Sequence, residues 1–247
     1  MPDLNPRPVE QRRPWKAELG ILGGMGPLAS AEFLKTIYET NVSGPEQDSP
    51  ACILYSDPRV PDRTEAILLG FEEDVLSWLT LAIENLCQLN VRKVVIACVT
   101  SHHLLTSLPA HLSEKIISLV NLILAEVLVQ RKRYLLLCST GTRRARVFEH
   151  DRRWSQAAEF IVLPSDKDQL LIHELIYRLK RNASTKDSFE CLAEILEKYK
   201  MNSFIAGCTE FHLLTRYLKQ QESAISKYEV IDPLLMLAQN FRSLTSC

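Results

Sequence analysis

The stretch SFIAGCTEFHLL at residues 203–214 repeats, with few changes, VVIACVTSHHLL at residues 94–105. In each, a short apolar run ends on a cysteine, Cys208 or Cys98, and passes into a helical pattern. The pairing extends upstream, where LGILGGMGP (19–27) and YLLLCSTGT (134–142) both read as a strand entering a glycine-bearing loop. Leu22 precedes Cys98 by 76 positions and Leu137 precedes Cys208 by 71, so the two units are nearly equal. Such a repeat exceeds the ~20–50 residues of a solenoid unit and reads as a duplicated domain. Apolar strands alternating with helical patterns predict an α/β fold. Two pseudo-symmetric domains are expected, each a mostly parallel sheet flanked by helices, with the active site in the interdomain cleft.

Outward from these units, strands are expected at Glu18–Leu22, Cys52–Tyr55, Lys93–Ala97, Tyr134–Leu137, Phe160–Leu163 and Ser203–Ala206. Helices are expected over Leu28–Tyr38, Val75–Leu89, Ile116–Val129, Leu170–Lys180 and Phe189–Tyr199, from their apolar spacing. A final strand and closing helix fall near Ile231-Asp232-Pro233. Residues 1–15, with four prolines and many charges, read as a flexible tail. The first domain is then 16–115 plus 221–247, and the second 116–220.

The chain has 247 residues, 29 Lys+Arg against 30 Asp+Glu, 46% hydrophobic and 24% charged residues. That is an ordinary globular composition, and a net charge of −1 gives no general attraction to nucleic acid or membrane surfaces. Seven scattered cysteines without CxxC spacing fit reduced thiols in a cytoplasmic protein better than a secreted disulfide framework. The opening residues lack the apolar core of a signal peptide. The most apolar segment, Ile116–Val129, is too short and too polar to cross a bilayer.

Cys98 and Cys208 fall at the carboxyl ends of parallel strands, where open α/β sheets bind ligands. A thiol at a helix N-terminus feels the positive end of the dipole, which favours thiolate relative to a free value of ~8.5. A single apolar-flanked cysteine is usually core packing, and Cys52, Cys87, Cys138, Cys191 and Cys247 keep that reading. Two thiols at matched points of two facing halves suit one reaction class. Inverting a carbon stereocentre needs a base on one face and an acid on the other, and opposed sulfurs supply both. The loops Gly23–Gly26 and Thr140–Thr142, with Thr100 and Thr209, offer hydrogen-bond donors for the developing carbanion. The same residues also serve as ordinary turns and caps. Arg63 follows a strand end and has the geometry to clamp a carboxylate; the alternative is a surface arginine paired with Asp62 or Glu65.

Two rival signals are weaker. Gly24-x-Gly26-x-x-Ala29 formally matches a dinucleotide fingerprint, with Asp57 as ribose acid. However, Pro27 sits inside the turn, and Asp57 lies 28 residues beyond Ala29 where ~20 are expected. Cys98-x3-His102 and Cys208-x3-His212 suggest a Cys2His2 zinc site, though such sites normally cluster their ligands more tightly. Single histidines on helices are also more often satisfied residues than ligands.

With these motifs in view, the chain resembles the cofactor-independent aspartate/glutamate racemases, in their aspartate racemase branch. The resemblance rests on GILGGMGPLASAEF (20–33), DPRVPDRT (57–64), IACVTSH (96–102), STGT (139–142), IAGCTE (205–210) and IDP (231–233). It implies two pseudo-symmetric α/β domains paired into a homodimer, with aspartate bound between the domains and neither pyridoxal phosphate nor metal required. Carried over by motif, Cys98 and Cys208 are the acid/base pair and Arg63 holds the side-chain carboxylate. Met25, Gly26, Thr100, Thr140, Thr142 and Thr209 line the substrate, and Glu210, behind them, occupies the place that marks GCTE aspartate-type enzymes where the glutamate branch typically has GCTH. Val99 stands where the family usually has an asparagine that helps to bind substrate. Many relatives also place a lysine after the glutamine matched by Gln169, where this chain has Leu170, with Lys167 nearby. The alternative within this fold is a racemase, isomerase or decarboxylase of another small carboxylate, such as glutamate.

Overall fold

The computed structural model describes residues 16–221 and 227–246; the proposed tail at 1–15 and Cys247 lie outside them. The first half runs β1 (Ala17–Gly23), α1 (Pro27–Asn41), β2 (Cys52–Ser56), α2 (Arg63–Leu69), α3 (Glu72–Gln88) and β3 (Val91–Ile96). A 3-10 helix (Thr100–Ser107), α4 (Ala110–Ser113) and α5 (Leu119–Gln130) lead to the second half. That half contains β4 (Tyr134–Leu137), α6 (Thr140–Arg144), α7 (Trp154–Ala157), β5 (Ile161–Val162), α8 (Asp166–Lys180) and α9 (Thr185–Lys198). The chain closes with β6 (Ser203–Ala206), α10 (Phe211–Gln220), β7 (Glu229–Ile231), α11 (Pro233–Gln239) and α12 (Phe241–Thr245).

The duplication read from the sequence is visible in the strand order. One sheet runs β2-β1-β3 and the other β5-β4-β6, with β7 added at its edge. Every strand pair is parallel. Both sheets are buried on both faces, which is why their strands read as unbroken apolar runs rather than alternating ones. Leu19, Ile21, Val95, Leu136 and Ile205 point into one apolar cluster that runs from sheet to sheet through α1, α5 and α11. Their sequence neighbours point the other way, Leu22 and Ile96 towards α3 and Phe204 and Ala206 towards α8, α9 and α10. The molecule therefore has one shared central core and one outer core for each sheet.

Two expected boundaries move. Ile116, expected to start a helix, instead bridges Val94, and the Ile117 N–H donates to the Val94 carbonyl at 2.8 Å. The helix begins only after Ser118, whose hydroxyl accepts the Asn121 N–H as an N-cap. The closing segment, expected within the first domain, serves both halves. Its strand β7 pairs with β6 of the second sheet, whereas α11 packs against α1 and α5.

Candidate active site

Both cysteine-bearing strands end in the same tight turn. The Cys98 N–H donates to the Ile96 carbonyl at 2.7 Å, and the Gly207 N–H to the Ile205 carbonyl at 2.8 Å. Cys98 closes its turn, whereas Cys208 comes one residue later. The intervening Gly207 is required by space, since a Cβ there would lie 2.7 Å from the Leu136 side chain and 2.9 Å from the Leu137 carbonyl. Cys98 then enters the 3-10 helix and Cys208 enters α10. Both thiols are almost fully buried, at 6% exposure each. The Thr209 hydroxyl donates to the Ala97 carbonyl at 3.0 Å and so ties one strand end to the other.

The charges around the two sulfurs differ. Cys208 donates its S–H to Glu210 Oε2 at 2.8 Å. Burial, then the Glu210 charge, raises the Cys208 thiol well above its ordinary range; Lys180 opposes the rise and Cys98 adds to it. This corrects the expectation that a helix N-terminus favours thiolate there, because desolvation and a neighbouring carboxylate outweigh a partial dipole charge. On the other side, Arg63 opens α2 behind its Asp62 cap. It is buried, which excludes the surface-arginine alternative. Its guanidinium donates to the Pro61 carbonyl at 2.9 Å and the Met25 carbonyl at 2.8 Å. Burial disfavours the Arg63 charge, but Cys98, Asp62 and Glu210 outweigh this and hold it in place.

Lys180 is the cation that sequence reasoning missed. Its Nζ lies 4.0 Å from Asp62 Oδ2 and 4.7 Å from the centre of the Tyr177 ring. Tyr177 donates to the same Asp62 oxygen at 2.7 Å. Nearby, His173 Nδ1 accepts the Thr140 N–H at 3.3 Å. His173, Tyr177 and Lys180 follow an i, i+4, i+7 spacing on α8, so helical phase alone puts them on one face. Leu170 and Lys167, where a cation was sought, are exposed.

A ring of hydroxyls joins the halves. Thr100 Oγ1 lies 3.0 Å from Ser139 Oγ and 2.9 Å from Thr142 Oγ1, and the last two are 3.0 Å apart. Ser139, read as part of a loop, is the N-cap of α6 and receives the Thr142 N–H at 3.1 Å. The Thr140 hydroxyl, by contrast, is buried without a partner and belongs to no part of this ring. Met25 is buried, and its sulfur receives the Ser101 hydroxyl at 3.4 Å. Gly26 has extended backbone, with φ −154°, so its lack of a side chain answers to space, since a Cβ would fall on Glu210 Oε1. The Val99 side chain lies in the central apolar core, away from the polar groups.

The rival signals meet physical obstacles. A Cβ on Gly24 would strike the Asp57 backbone and one on Gly26 the Glu210 carboxylate, so packing within the protein accounts for both glycines without a nucleotide. Both candidate zinc histidines have both ring nitrogens engaged. His102 Nε2 accepts the Leu119 N–H at 3.0 Å and Nδ1 donates to the Cys98 carbonyl at 2.9 Å. Burial first lowers the His102 pKa to about 4. His212 Nδ1 lies 2.7 Å from Asp232 Oδ2 and Nε2 3.0 Å from Thr36 Oγ1. Among the described residues, no three His, Cys, Asp or Glu side chains are grouped to hold a metal ion.

A family model described as Asp/Glu/Hydantoin racemase matches residues 22–240. Among solved structures, the chain resembles an aspartate racemase from Picrophilus torridus, with a TM-score of 0.77 at 23% identity over 94% of this chain and 95% of that one. An aspartate racemase homologue from Pyrococcus horikoshii OT3 matches with a TM-score of 0.62 at 19% identity, over 94% and 100% of the two chains. A glutamate racemase from Campylobacter jejuni matches with a TM-score of 0.55 at 18% identity, over 91% and 84%. At these identities the structural likeness speaks for the fold.

Proposed function

The chain belongs to the Asp/Glu/hydantoin racemase family, and we propose that it interconverts L- and D-aspartate by proton transfer between Cys98 and Cys208, without a cofactor. The observation that carries this reading is the placement of both thiols at matched strand ends, each with a charged partner. The Arg63 charge acts on Cys98, the Glu210 carboxylate receives the Cys208 thiol, and the Lys180 charge acts on Cys208 in the opposite sense to Glu210. In one direction Cys98, as thiolate, takes the Cα proton, and the Cys208 thiol delivers its proton to the opposite face. That leaves Cys98 protonated and Cys208 as thiolate, and the reverse reaction restores the first state. Burial and Glu210 keep Cys208 in its proton-donating form.

Arg63 and Lys180 bracket the site with positive charge, which suits a substrate carrying two carboxylates. The ring of Thr100, Ser139 and Thr142 hydroxyls and the nearby backbone N–H groups supply donors for the enolate-like charge that develops as the proton leaves. Met25, Gly26, Thr140 and Thr209 remain part of the proposed lining, and Val99 shapes it from the core side. The resemblance to the family also carries the proposals that two copies pair and that the enzyme works in the cytoplasm. Among the described residues, no helix is long and apolar enough to cross a membrane.

The test is incubation with L-aspartate in deuterated water, with no cofactor added, followed by chiral separation with mass detection. D-aspartate carrying deuterium at Cα is the expected product. Absence of inversion, or inversion that retains the original hydrogen, refutes the mechanism. A panel containing glutamate and other small acids fixes the preferred substrate.

A further inference from the structure

One acceptor in the cleft has no donor. Glu210 is 1% exposed, and Oε2 receives the Cys208 thiol. Its second oxygen, Oε1, is buried with no hydrogen-bond partner. Oε1 lies against Gly26, in the space a side chain at that position would fill. The carboxylate is thus wedged between the glycine loop of the first half and the Cys208 sulfur of the second. A buried carboxylate oxygen left unpaired is costly, and each such oxygen has room for two donors.

Several of the surrounding donors have other partners. Thr209 donates to the Ala97 carbonyl, and the Thr100, Ser139 and Thr142 hydroxyls face one another. Arg63 donates to Pro61 and Met25, and Lys180 sits at Asp62. A ligand with an N–H group can bring the donor that Oε1 lacks. An amino acid whose Cα lies within reach of Cys208 carries its ammonium group on that same carbon, and Glu210 is one hydrogen bond from that sulfur. Resting on the racemase reading, we propose that Glu210 Oε1 receives the ammonium group of the bound substrate and selects α-amino diacids over diacids that carry a hydroxyl or hydrogen in its place. Gly26 is the companion of this role, since only glycine leaves room for the oxygen.

The test is calorimetric binding of L-aspartate, L-malate and succinate to the Cys98→Ser chain, in which turnover is strongly slowed, with and without Glu210→Gln. The expected result is that aspartate binds at least ten-fold tighter than succinate or malate. Glu210→Gln should erase that preference, weakening aspartate about ten-fold or more while succinate stays within about three-fold. Loss of both ligands to the same extent would mark Glu210 as merely structural and overturn the proposal, as would a preference that survives the substitution. Thermal unfolding of each variant confirms that the fold is retained. If the parent chain inverts aspartate in deuterated water yet the preference persists in Glu210→Gln, this assignment alone fails. If no diacid binds at all, it fails together with the reading of the site.

Discussion

The Thr209 hydroxyl and the Ala97 carbonyl, 3.0 Å apart, join the residue after Cys208 to the residue before Cys98. This hydrogen bond fixes the two strand ends that carry Cys98 and Cys208 relative to each other. Thr209→Val keeps the shape, removes the donor and leaves a buried carbonyl unpaired, at a cost of about 1–3 kcal/mol. For a chain of this size each kcal/mol lowers the melting temperature by roughly 2–4 °C. Turnover should fall further than stability suggests, by about 10–100-fold, because sub-ångström misplacement of reacting groups is expensive. A variant with normal turnover would show that this tie does not position the thiols.

Replacing either thiol tests the acid/base pair directly. Cys98→Ser and Cys208→Ser should each lower the inversion rate by about 10²–10⁴-fold. Their circular dichroism and melting profiles should stay near those of the parent, since one sulfur is exchanged for one oxygen. Normal racemisation by either variant removes that residue from the mechanism.

Lys180→Met keeps much of the aliphatic stem and removes the ammonium that sits over the Tyr177 ring. The KM for aspartate should rise about 10–100-fold, in line with loss of a charge-assisted contact of about 1.5–3 kcal/mol. Binding of a monocarboxylate such as alanine should change much less. Equal weakening of both ligands would assign Lys180 to holding Asp62 and Tyr177 rather than to recognition.

Burial raises the Cys52 and Cys138 thiols to about 12 each, and burial together with Glu210 raises Cys208. In the unfolded chain these thiols titrate near ~8.5. Below that pH both states hold the protons and the contribution to stability is fully present. Above it the unfolded chain releases protons that the folded chain keeps, so stability falls by up to ~1.4 kcal/mol per pH unit for each thiol until the folded value is passed. Urea midpoints at pH 7, 9 and 10.5 should therefore decline steeply over the last interval. Cys138→Ala should flatten that decline, and an unchanged slope would contradict the linkage.

The repeat made the architecture legible, because strands buried on both faces and glycine loops at strand ends leave a signal within a few residues. Both cysteines were readable for the same reason. What depended on distant packing was harder to see. Lys180 reaches the cleft only because α8 lays one face against Asp62 of the other half, although its spacing from His173 and Tyr177 carried a hint. The Ser118 cap was overlooked beside a strong apolar run, so α5 was expected to start too early. The state of Cys208 was misjudged because a dipole argument is local, whereas burial and the Glu210 contact come from the folded environment. The two histidines, for which the zinc reading was the weaker one in sequence, fasten Leu119, Thr36 and Asp232.

The apolar cluster continuous from one sheet to the other makes the halves inseparable. A cut between Gln130 and Tyr134 would leave each fragment with one greasy flank open to water, so neither piece is expected to survive alone as a monomer. Heating should accordingly give one calorimetric transition whose van't Hoff and measured enthalpies agree. Substrate entry, for its part, has to rely on side chains and loops at the rim, because swinging the two sheets apart would tear open the middle of the molecule.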